Sequence, residues 1–256
     1  MLQLAQAHAL NFRPDLVLTV WNSAYLLAAS DLAEKLAIPL ALVCHDDYEK
    51  MLPAHPRKRA WADQRLRFIY QRAKARICVS HGMVEHMAAI FGSSPTDILF
   101  PIPAEAPFPG LPARVRRSGE PLRIGFFGEM SGNFDVFNAV ADALPKVDAE
   151  FHFFSHGVVG SDRRELTRRL RVFDHGVTDP RGLHVFFRDN IDVILIPQGF
   201  ESADLQLRRT CFPSKLPEAC QIGLPLLIVA PPEASAARWG DHQFGYGSGL
   251  AIPERG

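Results

Sequence analysis

Between Asp192 and Ala230 the chain reads DVILIPQGFESADLQLRRTCFPSKLPEACQIGLPLLIVA, and this stretch decides the fold. It opens on a continuous apolar run, Asp192 to Pro197, and closes on another, Leu224 to Ala230, with a helix expected between them from about Pro213 to Cys220. Unbroken rather than alternating hydrophobicity is what a strand covered on both faces requires, and a helical crossover is what joins two parallel strands.

The same rhythm extends in both directions. Upstream lie LRIGFFG (Leu122 to Gly128), FHFFSHG (Phe151 to Gly157) and RVFDHG (Arg171 to Gly176), with helices near Phe134 to Leu144, Asp162 to Leu170 and Pro180 to Arg188. Downstream come a helix near Glu233 to Arg238 and a short strand, Gly249 to Pro253. Further toward the N-terminus, strands are expected at Asp15 to Val20, Leu40 to Cys44, Arg76 to Ser80 and Ile98 to Pro101. Helices reach to Phe12 and span Ser23 to Leu36, Arg57 to Ala73 and Gly82 to Phe91. A proline-rich stretch without periodicity separates the two series. The sequence therefore predicts an α/β protein of two Rossmann-like, doubly wound parallel-sheet domains, residues 1–105 and 121–256, joined by a linker at 106–120. The first domain starts on what should be a middle strand, so it is expected to be incomplete, short of two or three βα units of roughly 30 residues each. Closing helices are expected to be missing at the other end.

Composition narrows the function classes. With 47% hydrophobic and 22% charged residues the chain is globular, and 28 basic against 28 acidic residues leave no global pull toward nucleic acid or anionic lipid. The four cysteines form no CxxC pair, which suits reduced thiols and a cytoplasmic setting. The first residues lack the basic start and apolar core of a secretory signal, and no run of 18 apolar residues occurs.

Open α/β sheets bind ligands at the carboxyl ends of their strands, so the residues that follow each strand carry the functional information. Pro213, Ser214, Lys215 and Leu216 stand where a helix should begin, and a helix start offers unpaired N–H groups and partial positive charge to a phosphate. Lys215 adds a full charge, and Glu218, about one turn on, has a carboxylate able to take two hydroxyl protons. The plainer alternative is an ordinary helix start, with Pro213 at the first helical position and Glu218 facing the dipole. Gly125, Gly128 and Gly132 form no GxGxxG fingerprint, yet Gly128 would let a backbone approach a ligand after its strand.

These residues carry a resemblance. TCFPSKLPEACQIGLPLLI, Thr210 to Ile228, resembles the nucleotide-binding stretch of the retaining GT-B glycosyltransferases of family four. LALVCHDDYEKM, RICVSHGMVEHMAAIFG and ILFPIP resemble segments of that family's N-terminal domain. The resemblance implies a nucleoside diphosphate sugar as donor substrate, no separate cofactor, and a hydroxyl acceptor on a glycan, a lipid-linked carrier or a protein. It implies that the turn from Thr210 through Leu216 cradles the diphosphate, that Glu218 takes the ribose, that His45 contacts the transferred sugar and that Lys215 stabilises the leaving group. A GT-B enzyme needs no divalent metal, in keeping with the absence of an Asp-x-Asp motif. Two departures stand out: Thr210 occupies the place of the family's first glutamate, eight positions before Glu218, and the loop after Phe127 offers Glu129 where the family often places Arg and Lys. They keep open a degenerate, nucleotide-binding subunit; a GT-B sugar-nucleotide epimerase is a further alternative, as is a different nucleotide-binding α/β protein.

Two other features remain. Residues 57–76 hold eight basic side chains against one acid, Asp63, with Trp61, Phe68, Ile69 and Tyr70 interleaved. This pattern reads as a solvated helix or as a peripheral contact with an anionic membrane. His152, His156, His175 and His184 are spaced irregularly, and no metal site is expected.

Overall fold

The computed structural model describes residues 12–21, 23–45, 52–102, 114–155, 160–201 and 205–244. The expected first helix, apart from Phe12, and the expected last strand lie outside them. The chain forms two compact units, one of residues 1–101 with 206–212 and the other of 102–205 with 213–256.

The first unit is built on β1 (Val17–Val20), α1 (Ser23–Leu36), β2 (Leu40–Cys44), α2 (Pro56–Arg72), β3 (Ala75–Cys78), α3 (His81–Phe91) and β4 (Asp97–Ile98). Its four strands are all parallel, in the order β1-β2-β3-β4. Trp21, Tyr70 and Phe91 pack at its centre, with Tyr70 stacked on Phe91 at 4.5 Å and Trp21 edge-on to Tyr70 at 5.9 Å. Helix α3 begins where Ser80 accepts the Met83 amide at 3.0 Å, an N-cap bond.

The second unit carries β5 (Leu122–Phe127), α4 (Phe134–Ala143), β6 (Ala149–Phe154), α5 (Ser161–Thr167), β7 (Val172–Asp174), α6 (Pro180–Asn190), β8 (Val193–Pro197), α7 (Leu205–Thr210), α8 (Lys215–Ile222), β9 (Leu226–Val229) and α9 (Ser235–Phe244). Its sheet is parallel in the order β7-β6-β5-β8-β9, a doubly wound arrangement as the continuous apolar runs require. Phe126, Phe137, Phe151 and Phe153 fill one face. On the central strand, a Cβ at Gly125 would stand 2.7 Å from Phe187 and 2.8 Å from Ile191, so α6 approaches β5 closely because residue 125 has no side chain.

Two features were not legible in the apolar rhythm. Helix α7 is only six residues long, too short to show a helical period, and all but its first residue belongs to the first unit. The segment 206–212 is held there by several contacts. Ser80 donates its hydroxyl to the Thr210 carbonyl, Gln206 meets His86 Nδ1 at 2.8 Å, Cys211 Sγ donates to the His45 carbonyl at 3.5 Å, and Phe212 lies 4.9 Å from Phe100. The end of the proline-rich stretch is likewise engaged. The Arg114 amide donates to the Arg188 carbonyl at 3.1 Å, and its guanidinium pairs with Asp192 at 2.8 Å and with Glu120.

The basic run on α2 and β3 is largely consumed within its own unit. Arg65 pairs with Asp31, Arg72 with Glu34 at 3.3 Å and Arg67 with Asp63 at 2.9 Å, while the buried Arg76 donates to the carbonyls of Tyr70 and Gln71. Arg57 and Lys58 are exposed at the start of the helix, beside an exposed Trp61.

Candidate functional site

In the second unit the strand order reverses between β5 and β8, the switch point at which an open α/β sheet offers a ligand site. Three groups that the sequence singles out meet at this point. Gly128, directly after β5, has φ +121°, which an L side chain rarely adopts. A Cβ there would touch the Lys215 stem at 3.2 Å. The Lys215 ammonium sits 5.7 Å over the Phe127 ring and donates to Glu218 Oε2 at 3.0 Å. Glycine at 128 thus allows the lysine to lie flat against the strand end, with its charge between an aromatic face and a carboxylate.

A hollow flanks this lysine on each side. One, of about 190 Å³, is lined by Phe127, Phe154, Ser155, Val177 and Leu183 and bordered by both Lys215 and Glu218. The other, of about 200 Å³, lies over the β5 and β8 ends against Glu129, Asn133, Pro197, Pro213 and Ser214, again with Lys215 on its wall. Neither alone reaches the roughly 300 Å³ at which ordinary ligand pockets begin. A ligand as large as a nucleotide sugar would have to lie on both sides of Lys215.

The helix start differs from its expected form. Helix α8 begins at Lys215 with Ser214 as N-cap, so Pro213 precedes the cap instead of occupying the first helical position. Pro217 has no N–H to offer, and the Leu216 amide already donates to the Pro213 carbonyl at 3.1 Å. The amides of Ser214 and Lys215 are what this turn can give an anion, so most of its attraction for phosphate resides in the lysine side chain. Gly223, with φ +78° and ψ +18°, ends the helix in the left-handed conformation that glycine favours and turns the chain toward β9.

The remaining sequence-derived residues are placed elsewhere. Leu216 is fully buried and anchors α8 in the core. Thr210 is fully buried in the first unit, and its hydroxyl donates back to the Gln206 carbonyl of its own helix at 3.0 Å. His45 directly follows β2 of the first unit and is half-buried. Beside it, Cys44 lies in register with Cys78 on β3, and its hydrogen bond to that thiol, together with burial, pushes the Cys44 thiol far above its ordinary range. Such a thiol is no nucleophile at neutral pH. Cys44, Cys78, Cys211 and Cys220 are all thiols, not disulfides. Glu129 is exposed and accepts from the Ser131 amide at 3.3 Å. Sequence reasoning missed the loop ties at the switch point: Asn133 Oδ1 accepts the Gly199 amide at 2.9 Å, and Asp135 accepts that of Phe200. The only available signal was an Asn and an Asp at a helix start, where local capping is the usual reading.

Among the described residues no three His, Cys, Asp or Glu side chains gather as a metal site. His156 lies outside the described residues and His184 is buried. His152 and His175 do meet, Nδ1 to Nε2 at 3.1 Å, with rings stacked at 5.3 Å and Glu150 3.3 Å from the far nitrogen of His152. Burial lowers the proton affinity of both below the ordinary 6.5, and each would repel the other's charge; Glu150 opposes this for His152, and Asp174 for His175. The unfolded chain therefore binds more protons than the folded one just below pH 6.5, and stability rises with pH through that window. Melting temperature is expected to fall as pH is lowered from 7.5 to 5.5, and to fall less in His152→Gln. An equal slope in both proteins would remove the histidine pair as the cause.

Comparison with known proteins agrees on the fold. A family model described as Glycosyltransferase Family 4 matches residues 1–99. No curated protein matches the chain by sequence. The solved structure of the lipopolysaccharide outer core galactosyltransferase WaaB in its apo form is 17% identical, with a TM-score of 0.61 over 89% of this chain and 59% of that one. The crystal structure of TarM is 10% identical, with a TM-score of 0.50 over 89% of this chain and 44% of that one. The chain thus spans about half the length of these proteins, and at such identities what is shared is architecture. The fold is the GT-B glycosyltransferase fold, with two Rossmann-like α/β units.

Proposed function

We propose that this chain of GT-B fold is a glycosyltransferase, which holds a nucleoside diphosphate sugar at the strand ends of its second unit and passes the sugar to a hydroxyl acceptor with retention. The observation that carries the reading is the meeting of Lys215, Glu218 and Gly128 at the switch point, with a hollow on either side of the lysine. The ribose would bond to Glu218, the nucleobase would occupy the hollow walled by Phe127, Val177 and Leu183, and the diphosphate would lie along Lys215. In the transfer step the bond from the anomeric carbon to the diphosphate oxygen breaks, and negative charge grows on the leaving group. The Lys215 ammonium and the amides of Ser214 and Lys215 would stabilise that charge. The acceptor oxygen forms the new bond while its proton passes to the departing diphosphate, so no carboxylate nucleophile is required. His45 would orient the sugar, as the family resemblance implies.

The test is thermal stability with UDP, GDP and ADP. A ligand at 100 times its Kd adds about 2.7 kcal/mol, roughly 5 to 10 °C for a protein of this size. One base should give that shift, and Glu218→Ala should abolish it. A folded protein indifferent to all three nucleotides would sink the site. Nucleotide binding without transfer is a second reading, favoured by Thr210, whose hydroxyl is turned into its own helix where the family has a glutamate. Product formation from the donor of the same base separates the two, and His45→Ala should reduce product while sparing nucleotide affinity. Peripheral contact with an anionic membrane would rest on Arg57, Lys58 and Trp61, which stand exposed together at the start of α2.

A further inference from the structure

Lys215 and Glu218, the two groups that the proposed site assigns to different parts of the donor, are bonded to each other at 3.0 Å. The pair is held in place. The lysine stem lies against Gly128, its ammonium is over Phe127, and its partner is one turn further along the same helix with the glutamate side chain 27% exposed. In that contact the ammonium occupies Glu218 Oε2 and draws on the charge of the carboxylate, which weakens it as an acceptor of ribose hydroxyls. A phosphate group offers Lys215 a stronger partner of higher charge. Once the lysine turns to it, Glu218 is released to accept hydroxyl protons.

Resting on the reading of this site as a nucleotide site, we infer that the Lys215–Glu218 ion pair is a specificity device: it selects phosphorylated nucleosides over free nucleosides by holding the ribose-binding carboxylate until a phosphate draws the lysine away. The two halves of the ligand then assist one another through the pair, and the assistance is reciprocal. The contact disfavours nucleosides by a modest factor even though every group that would bind them is in place, an example of specificity built on a competing interaction.

The test measures the Kd of uridine, guanosine and adenosine and of their diphosphates, by calorimetry at low salt, for the wild-type protein and for Lys215→Met. The methionine keeps the stem packed on Gly128 and Phe127 and removes the charge. The diphosphate of the preferred base should bind Lys215→Met at least ten-fold more weakly, whereas its nucleoside should bind it about two- to five-fold more tightly, the range that a half-exposed ion pair commands. Opposite signs for the two ligands are the mark of the device. In the wild-type protein, inorganic pyrophosphate should raise nucleoside affinity by a similar factor, and this gain should vanish in Lys215→Met. A nucleoside that binds Lys215→Met no better than wild type, while the diphosphate still binds wild type, overturns the inference and leaves the site standing. Failure of every nucleotide to bind folded wild-type protein overturns the site and the inference together.

Discussion

Replacing Gly82 by alanine is expected to destabilise the first unit by about 3 kcal/mol, although alanine is the better helix former. Gly82 lies in the first turn of α3, where propensity and unfolded-state entropy alone would make the change stabilising by about 0.5 to 1 kcal/mol. The sign is reversed by a single approach. A Cβ at this position would stand 1.9 Å from the Arg209 carbonyl oxygen and 2.8 Å from its carbon. These are backbone atoms, with no side chain to rotate away, so either α3 or the segment 206–212 must move. Movement strains the neighbouring contacts, because Ser80 at the α3 cap donates to Thr210 and Gln206 holds His86. Urea unfolding followed by Trp21 fluorescence, with limited proteolysis at residues 206–212, reads both consequences. Unchanged or increased stability would show that the segment does not pack on α3 this closely.

Asp192→Ala should cost the second unit a similar amount, about 3 kcal/mol, the toll of removing one partner from a largely buried ion pair. Asp192 has a side chain only 9% exposed; one oxygen accepts from the Arg114 guanidinium at 2.8 Å and the other from the Arg123 amide at 2.9 Å. Truncation leaves that amide at the start of β5 without its carboxylate and the 13%-exposed Arg114 with Glu120 alone. At roughly 2 to 4 °C per kcal/mol, the melting temperature should fall by about 6 to 12 °C. Arg114→Met combined with Asp192→Ala should cost less than the sum of the two single changes, because the second substitution removes a charge that the first left behind. A loss under about 0.5 kcal/mol for Asp192→Ala would mean that Glu120 suffices for Arg114.

Most of the architecture was legible residue by residue. Strand β2 and helix α1 stand at the bounds their hydrophobic patterns predict, and the other described strands shift by one or two residues at most ends, where pairing and not composition decides the last bond. The site was partly legible. That Lys215 and Glu218 share one side of a helix follows from their spacing of three, and that they stand at strand ends follows from the order of elements.

Local pattern could not reveal which distant groups those residues meet. The periods of 3.6 and 2 identify helices and strands because each residue's burial recurs along its own element, and they sufficed for two parallel α/β units and for a helix start near Lys215. Contacts between elements carry no such period. The docking of 206–212 on the first unit, the use of Arg114 as a clamp on Asp192 and the resting of Lys215 over Gly128 and Phe127 depend on atoms brought together from 78 to 166 positions apart. Only packing in three dimensions chooses among the partners that composition would allow.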